Sequence, residues 1–391
     1  MDRAAAEGLL TARAVRETCR AVLTGRRLHF DVAEDRLALA ADAVAACTRQ
    51  AYPDLVVPYH SRWRHFVVDG QDLGRAHLDA VAGDASERAR AAFELAIVSV
   101  LVDAGAGAEW RYRDRSGREL ARSEGLAIAS LDFVASGALS SDSAKPWQVD
   151  AAALDRVTAS DLARAFQVGP DNRLVGLDGR AELLRALAAA VAAQPEVFGR
   201  ESRLGNLFDR LARTGRVGAD DVLAELLRRL GRIWPGRMVR AGIELGDVWP
   251  HPAVPGGLVA FHKLSQWLSY SLLEPLQWAG VAVERIDALT GLAEYRNGGM
   301  LIDLGIVVPR EPVLLDATHG VDSSVVVEWR ALTVALLDAL LALVRARLGR
   351  PAMTLAEMLQ GGTWAVGRRL AAERRRDGGP PLTVRSDGTV F

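Results

Sequence analysis

Apolar residues recur at i, i+3, i+4 and i+7, with Arg, Asp and Glu between them, over residues 3–24, 32–50, 87–104, 119–136, 178–194, 219–233, 261–279 and 326–348. That period predicts amphipathic helices and a mostly α protein. Start signals support several of them: Asp84 or Ser86 ahead of the helix containing Arg88, Ser160 with Asp161 ahead of Leu162–Phe166, and Asp220 ahead of Val222–Leu230. Strand signals are few and short: Glu109–Arg113 with a Ser116–Gly117 turn, Leu304–Val308, Val313–Asp316, and a terminal hairpin of Leu382–Arg385 with Thr389–Phe391. No alternating βαβ series occurs. The stretch Gly246–Gly257, with Pro250, Pro252 and Pro255, reads equally as a linker and as a loop covering a site. The pattern predicts one compact helical body with two lobes, about 1–245 and 258–375, and a tail over 376–391.

Half of the 391 residues are apolar and a quarter are charged, which is a globular composition. A net charge of −1 argues against an electrostatic nucleic-acid binder. The basic residues are skewed: two lysines, Lys145 and Lys263, stand against 46 arginines. GC-rich codon usage explains the bulk of that skew. A lysine kept against it marks a position where an amine is needed that can lose its proton, which a guanidinium cannot do. Cys19 and Cys47 lie in helical segments without zinc or disulfide spacing. The longest strongly apolar run, Leu95 to Val102, is far shorter than a membrane span, and the charged N-terminus lacks a signal-peptide pattern. The expectation is a soluble, cytoplasmic protein without a membrane partner.

The chain has no phosphate-binding P-loop, no GxSxG elbow, no HExxH and no calcium loop; Gly105 and Gly107 lack the third glycine and preceding strand of a dinucleotide site. No cofactor or metal is expected. His60 and His65 are five residues apart, off a common helix face, and the arginines near them oppose a cation. The same octapeptide, Tyr59-His60-Ser61-Arg62-Trp63-Arg64-His65-Phe66, fits an anion or polar-ligand surface through Arg62 and Arg64, and equally a buried aromatic elbow.

The densest chemistry lies at Phe261-His262-Lys263-Leu264-Ser265-Gln266-Trp267-Leu268-Ser269-Tyr270. On a helix, Lys263, Gln266 and Tyr270 share one line while Leu264, Leu268 and Leu272 share another, so one face can bind and the other bury. Downstream, Glu294-Tyr295-Arg296-Asn297 runs into Gly298-Gly299, which reads as a tight turn bringing backbone close to a neighbour. Glu294 suits a general base or a cation stabiliser, and Arg296 an anion holder or an orienter of Glu294; a salt-bridged helix end is the plainer alternative. Asp103 falls at the end of an apolar helix, where a carboxylate needs a partner, and Glu328 near the start of one, where the helix dipole suits it.

PYHSRWRHF, LVDAGAGAEW, GLAIASLDF, FHKLSQWLSYSLLEPL and LTGLAEYRNGGMLIDLG together resemble the uracil-catabolism family of fungi and bacteria, named from uracil-regulated genes, over nearly the whole chain. The resemblance implies a place in the route that opens the pyrimidine ring while ribose is attached, alongside a GTP-cyclohydrolase-II-like partner enzyme. More distantly, the order FHKLSQ, DALTGLAEYR, VVEWRALTVALL is similar to that in queuosine salvage N-glycosidases, which have a DNA-glycosylase-like helical core. Lys263, Gln266, Glu328 and Arg330 fall on matching positions of that family, and Glu294 stands where it has an aspartate. What this implies is hydrolysis of the N-glycosidic bond of a ring-opened pyrimidine nucleoside or nucleotide such as ribosylurea. Glu294 would stabilise positive charge at C1′ and activate water, and Lys263, joined by His262, would donate to the leaving ureido group. Gln266 would bind its amide edge beside Tyr270 and Asn297, Asp103 and Arg296 would hold ribose hydroxyls or Glu294, and Arg62 and Arg64 would take a phosphate. The alternatives are a non-catalytic binding or scaffold protein and an amidohydrolase acting on the ureido group.

Overall fold

The computed structural model describes residues 1–103, 105–107, 109–234 and 238–385. It is mostly α, with few short strands in two-stranded sheets. Two units emerge: Met1–His60, Gly236–Gln266 and Arg285–Phe391 form one, and Ser61–Pro235 with Trp267–Glu284 form the other. The helix Lys263–Trp278 gives its first turn to the first unit and the rest to the second.

The first unit is organised by the helix Ser324–Leu348, which Ser323 caps and Gly349, at φ 65°, terminates. Val325 to Leu337 are all buried, Glu328, Arg330 and Thr333 among them, so this stretch is enclosed around its whole circumference rather than along one stripe. Helices Ala12–Thr24 and Leu37–Ala51 pack on it. The expected helix over 3–24 is divided: Arg3–Gly8 ends and Thr11, bonding the Ala14 amide, caps a new start. Gly298 and Gly299 are not a turn. They lie inside the helix Tyr295–Asp303, and Gly298 is bare because a Cβ there would sit 2.7 Å from the Trp329 indole and 2.8 Å from Thr333 Oγ1. The close approach is made by helix packing. Residues 313–316 also depart from expectation: they form one helical turn after Pro312, with the Leu314 and Leu315 amides bonded to Glu311 and Pro312 carbonyls. A four-residue apolar run carries no period to separate strand from helix.

On the other side of Tyr295–Asp303 packs the helix Trp364–Arg374, entered through a π-helical turn, Leu359–Thr363. A Cβ on Gly367 would fall on the carbonyl oxygen of Arg296, a backbone atom with no freedom to yield. Gly367→Ala is therefore expected to lower stability by about 3 kcal/mol, the upper end of overpacking, read as a drop in thermal midpoint. Wild-type stability in that variant would show that the two helices can separate without cost.

The proline-rich stretch forms a hairpin: Val248–Pro250 pairs antiparallel with Leu258–Ala260, and the His251 amide bonds the Gly257 carbonyl across the turn. Phe30–Val32 pairs with Val307–Pro309, and Thr383–Arg385 runs parallel to Thr318–Gly320. The expected second arm of the terminal hairpin, Thr389–Phe391, lies outside the described residues.

In the second unit, Ala85–Leu101 packs on Arg122–Ala135, and Leu177–Ala192 on Ala151–Asp155. Asp84 caps the first of these through the Glu87 amide. Thr158, not Ser160, starts Ala159–Ala165, in a reciprocal capping box with Asp161. Gly218 precedes Ala219–Leu230, so Asp220 sits in its first turn. Arg111–Arg113, inside the expected strand and ahead of the expected turn, pairs antiparallel with Glu119–Ala121, the expected opening of the helix over 119–136; that helix starts at Arg122, and Gly117 holds φ 86° in the turn. Among the described residues no helix is long and apolar enough to cross a membrane.

Candidate functional site

Glu294 is the N-cap of Tyr295–Asp303, in extended backbone, and its side chain takes two amides: Asn297 N–H to Oε1 at 2.7 Å and Arg296 N–H to Oε2 at 3.0 Å. Glutamate is not a usual N-cap, so the longer side chain folded back onto two amides is a specific construction. Each carboxylate oxygen keeps capacity for a further hydrogen bond. Burial pushes the Glu294 pKa up, and the Arg296 and Asn297 amides and the positive charges of Lys263 and Arg296 only partly oppose it. The result is a fixed, buried carboxylate of raised basicity that feels the positive charge of Lys263.

Lys263 opens its helix directly after His262, which holds φ 48°, a left-handed value that costs a non-glycine residue energy. The Lys263 amide is held by Asp247 Oδ2 at 3.1 Å. Asp247 also receives both Nη atoms of Arg330 at 2.8 Å and the Trp249 indole N–H at 2.6 Å. Burial alone would raise its pKa, but the Arg330 guanidinium and these hydrogen bonds bring it down to about 2. Arg330 in turn lies 4.1 Å over the Phe261 ring. Sequence reasoning missed Asp247. Its only signal was an acid set two residues before a tryptophan in a Gly/Pro-rich stretch.

The remaining predicted residues of this unit divide. Asn297 is buried; Nδ2 donates to the Leu292 carbonyl at 3.3 Å, and Oδ1 has no hydrogen-bond partner among the described residues. The structure thus brings Glu294, Arg296 and Asn297 together at one helix end. Arg296 does not orient Glu294 through its guanidinium, whose Nη1 donates to the Gly378 carbonyl at 3.1 Å; its backbone amide does so instead. Gln266 grips Thr290, donating to Oγ1 at 2.8 Å and accepting from its amide at 3.4 Å, and so anchors the segment leading to Glu294. His262 is buried and its Nε2 donates to the Leu9 carbonyl at 2.9 Å; burial lowers its pKa, so the imidazole is neutral near pH 7. Glu328 is fully buried and accepts from the Leu28, His29 and Phe30 amides at 2.6, 3.0 and 3.0 Å, with His251 Nε2 at 3.4 Å. Burial would raise its pKa, but these donors hold it below the usual range. Glu328 anchors the start of a strand; the helix dipole is not what stabilises it.

In the second unit, Arg62 is fully buried, with Nε bonded to Ser99 Oγ at 2.6 Å and Nη1 3.1 Å from Asp103 Oδ1. Burial lowers its pKa, and Asp103 and Glu124 oppose that. Asp103 finds the partner its helix end requires. Arg64 pairs instead with Glu274 Oε1 at 2.7 Å, so the two arginines of the octapeptide diverge. Burial raises the Glu274 pKa against the opposing charge of Arg64. Tyr270 is fully buried within the helix. Arg180, which the sequence did not single out, is buried with Nε on the Val102 carbonyl at 2.8 Å, and its pKa is lowered by burial to about 10, against the pull of Asp103. Lys145 lines an open cleft of about 790 Å³, in which Arg90 pairs with Asp209 and Arg203 with Glu87.

Each unit of this mostly helical protein thus buries a carboxylate against an arginine, Asp247 with Arg330 in one and Asp103 with Arg62 in the other. The chain belongs to the DUF1688 family, described as a protein of unknown function, whose model matches residues 8–391. It is 41% identical over 349 residues to protein urg3 of Schizosaccharomyces pombe, covering 86% of this chain and 84% of that protein. It is 36% identical over 375 residues to uracil catabolism protein 4 of Lachancea kluyveri, covering 86% and 85%.

Proposed function

We propose that this protein acts in uracil catabolism as a hydrolase that cleaves the N-glycosidic bond of a ring-opened pyrimidine nucleoside or nucleotide, with ribosylurea as the simplest substrate. The pathway is suggested by the names of its relatives. The observation that carries the reaction is Glu294, a buried carboxylate of raised pKa, fixed by two amides and within the electrostatic influence of Lys263. As the C1′–N bond breaks, positive charge builds on the sugar; a fixed carboxylate stabilises it and takes a proton from the incoming water. The water oxygen bonds C1′, and the departing ureido nitrogen takes up a proton, for which Lys263 is the donor. Products are ribose, or its phosphate, and urea.

Incubation with ribosylurea and with its 5′-phosphate, followed by mass spectrometry, tests the reading. Intact urea with free sugar is expected. Ammonia and carbon dioxide would instead identify an amidohydrolase, and binding without products a carrier or scaffold. Lys263→Arg keeps the charge but changes reach and proton lability, so urea release is expected to fall by about 10²-fold, the lower end for a lost acid. Near-wild-type rates in that variant would remove Lys263 from the chemistry.

A further inference from the structure

Arg62 is immobilised on several sides. Its backbone amide donates to Ser271 Oγ at 2.9 Å, Nε to Ser99 Oγ at 2.6 Å, and its guanidinium carbon lies 5.7 Å from the Trp267 ring centre and 5.9 Å from that of Phe66. Nη1 contacts Asp103 Oδ1 at 3.1 Å. Nη2 is buried and has no hydrogen-bond partner among the described residues. A buried guanidinium nitrogen left without an acceptor is costly and rare. The group is rigid, already desolvated, and still has N–H donors to give.

Charge decides which acceptor suits it. Arg62 is paired with Asp103 at 3.1 Å, and the charge of Glu124 on Arg62 and that of Asp103 on Arg180 add to this balance, so the guanidinium is already matched by carboxylate charge. A locus that is already neutral gains little from a phosphate, and Asp103 repels one. It gains from a neutral carbonyl. Beside that donor, Asp103 is a carboxylate with capacity to accept. Donor and acceptor side by side match a C=O adjacent to an N–H.

We infer that Arg62 and Asp103 form a binding site for the neutral amide edge of a ureide, the carbonyl accepting from Arg62 and the adjacent N–H donating to Asp103. Intact pyrimidine rings and open ureido groups share that edge. The inference does not depend on the hydrolysis reading, because binding is measured without turnover.

Calorimetric titration of the full chain with methylurea, uracil, tetramethylurea and inorganic phosphate tests it. Saturable binding is expected for methylurea, uracil or both, which separates the open from the closed source. Tetramethylurea, which lacks N–H, and phosphate are expected not to bind or compete. Arg62→Lys is expected to weaken binding tenfold or more, the scale of one hydrogen bond to a charged group. Should that variant fail to fold, Asp103→Asn serves. Its Oδ1 must face Arg62, which turns its NH₂ toward the ligand N–H, and the same tenfold loss is expected. Unchanged affinity in a folded Asp103→Asn variant, competition by phosphate, or no ureide binding by folded wild-type protein overturns the inference. Ureide binding that depends on Arg62, together with no urea release from ribosylurea, would sink the hydrolysis reading alone.

Discussion

Glu294→Gln is expected to lower urea release by about 10²–10⁴-fold, the range for a lost acid–base group, with little change in KM. The amide side chain keeps one oxygen to accept from Asn297 or Arg296, but its nitrogen meets the other amide as a second donor. Weakening of the cap therefore costs about 0.5–2 kcal/mol, visible as a modest fall in thermal midpoint, and the protein stays folded. A pH profile separates the roles. Because burial raises the Glu294 pKa, the carboxylate form needed as a base is lost at a higher pH than for an exposed glutamate. The wild-type rate is expected to fall on the acid side above the ordinary value of about 4.3, and that limb to vanish in the residual activity of Glu294→Gln. Normal turnover in a folded variant would leave Glu294 as a helix cap and nothing more.

The helices that carry this site were legible because their apolar period is local. Lys263–Trp278 and Ser324–Leu348 lie within a few residues of the spans that their sequence predicts. What was not legible depends on contacts distant in sequence. Glu328 reads as a dipole partner until Leu28, His29 and Phe30, 298 to 300 residues away, donate to it. Gly298-Gly299 reads as a turn because glycine serves turns and helix crossings alike, and only Trp329 tells them apart. Arginine is so common in this chain that composition could not mark Arg62, Arg180 and Arg330 as buried, while the rarity of lysine did draw attention to Lys263. Asp247 was hidden by its setting, because a single acid among glycines and prolines resembles any solvated loop.

That hidden residue carries the largest expected stability effect. Asp247→Ala should destabilise the protein by about 3–5 kcal/mol, the cost of stranding a buried partner, because Arg330 is left facing Phe261 without its carboxylate and Trp249 loses its acceptor. Chemical denaturation reads this directly. A double replacement, Asp247→Leu with Arg330→Met, removes both charges and should recover much of the loss, since buried pairs can be exchanged for apolar ones at little net cost. Recovery would separate the pair's electrostatics from its second task. Asp247 Oδ2 also fixes the Lys263 amide, so the double variant is expected to stay folded and yet release urea more slowly than wild type. Acid gives an independent check. The Asp247 pKa, brought to about 2, lies below the ordinary value of about 3.9, so its contribution is complete above pH of about 4 and is lost as pH falls through 2. Wild-type protein should lose stability across that window more steeply than the double variant. Equal slopes would mean that Arg330 is held by its packing on Phe261 and not by the carboxylate.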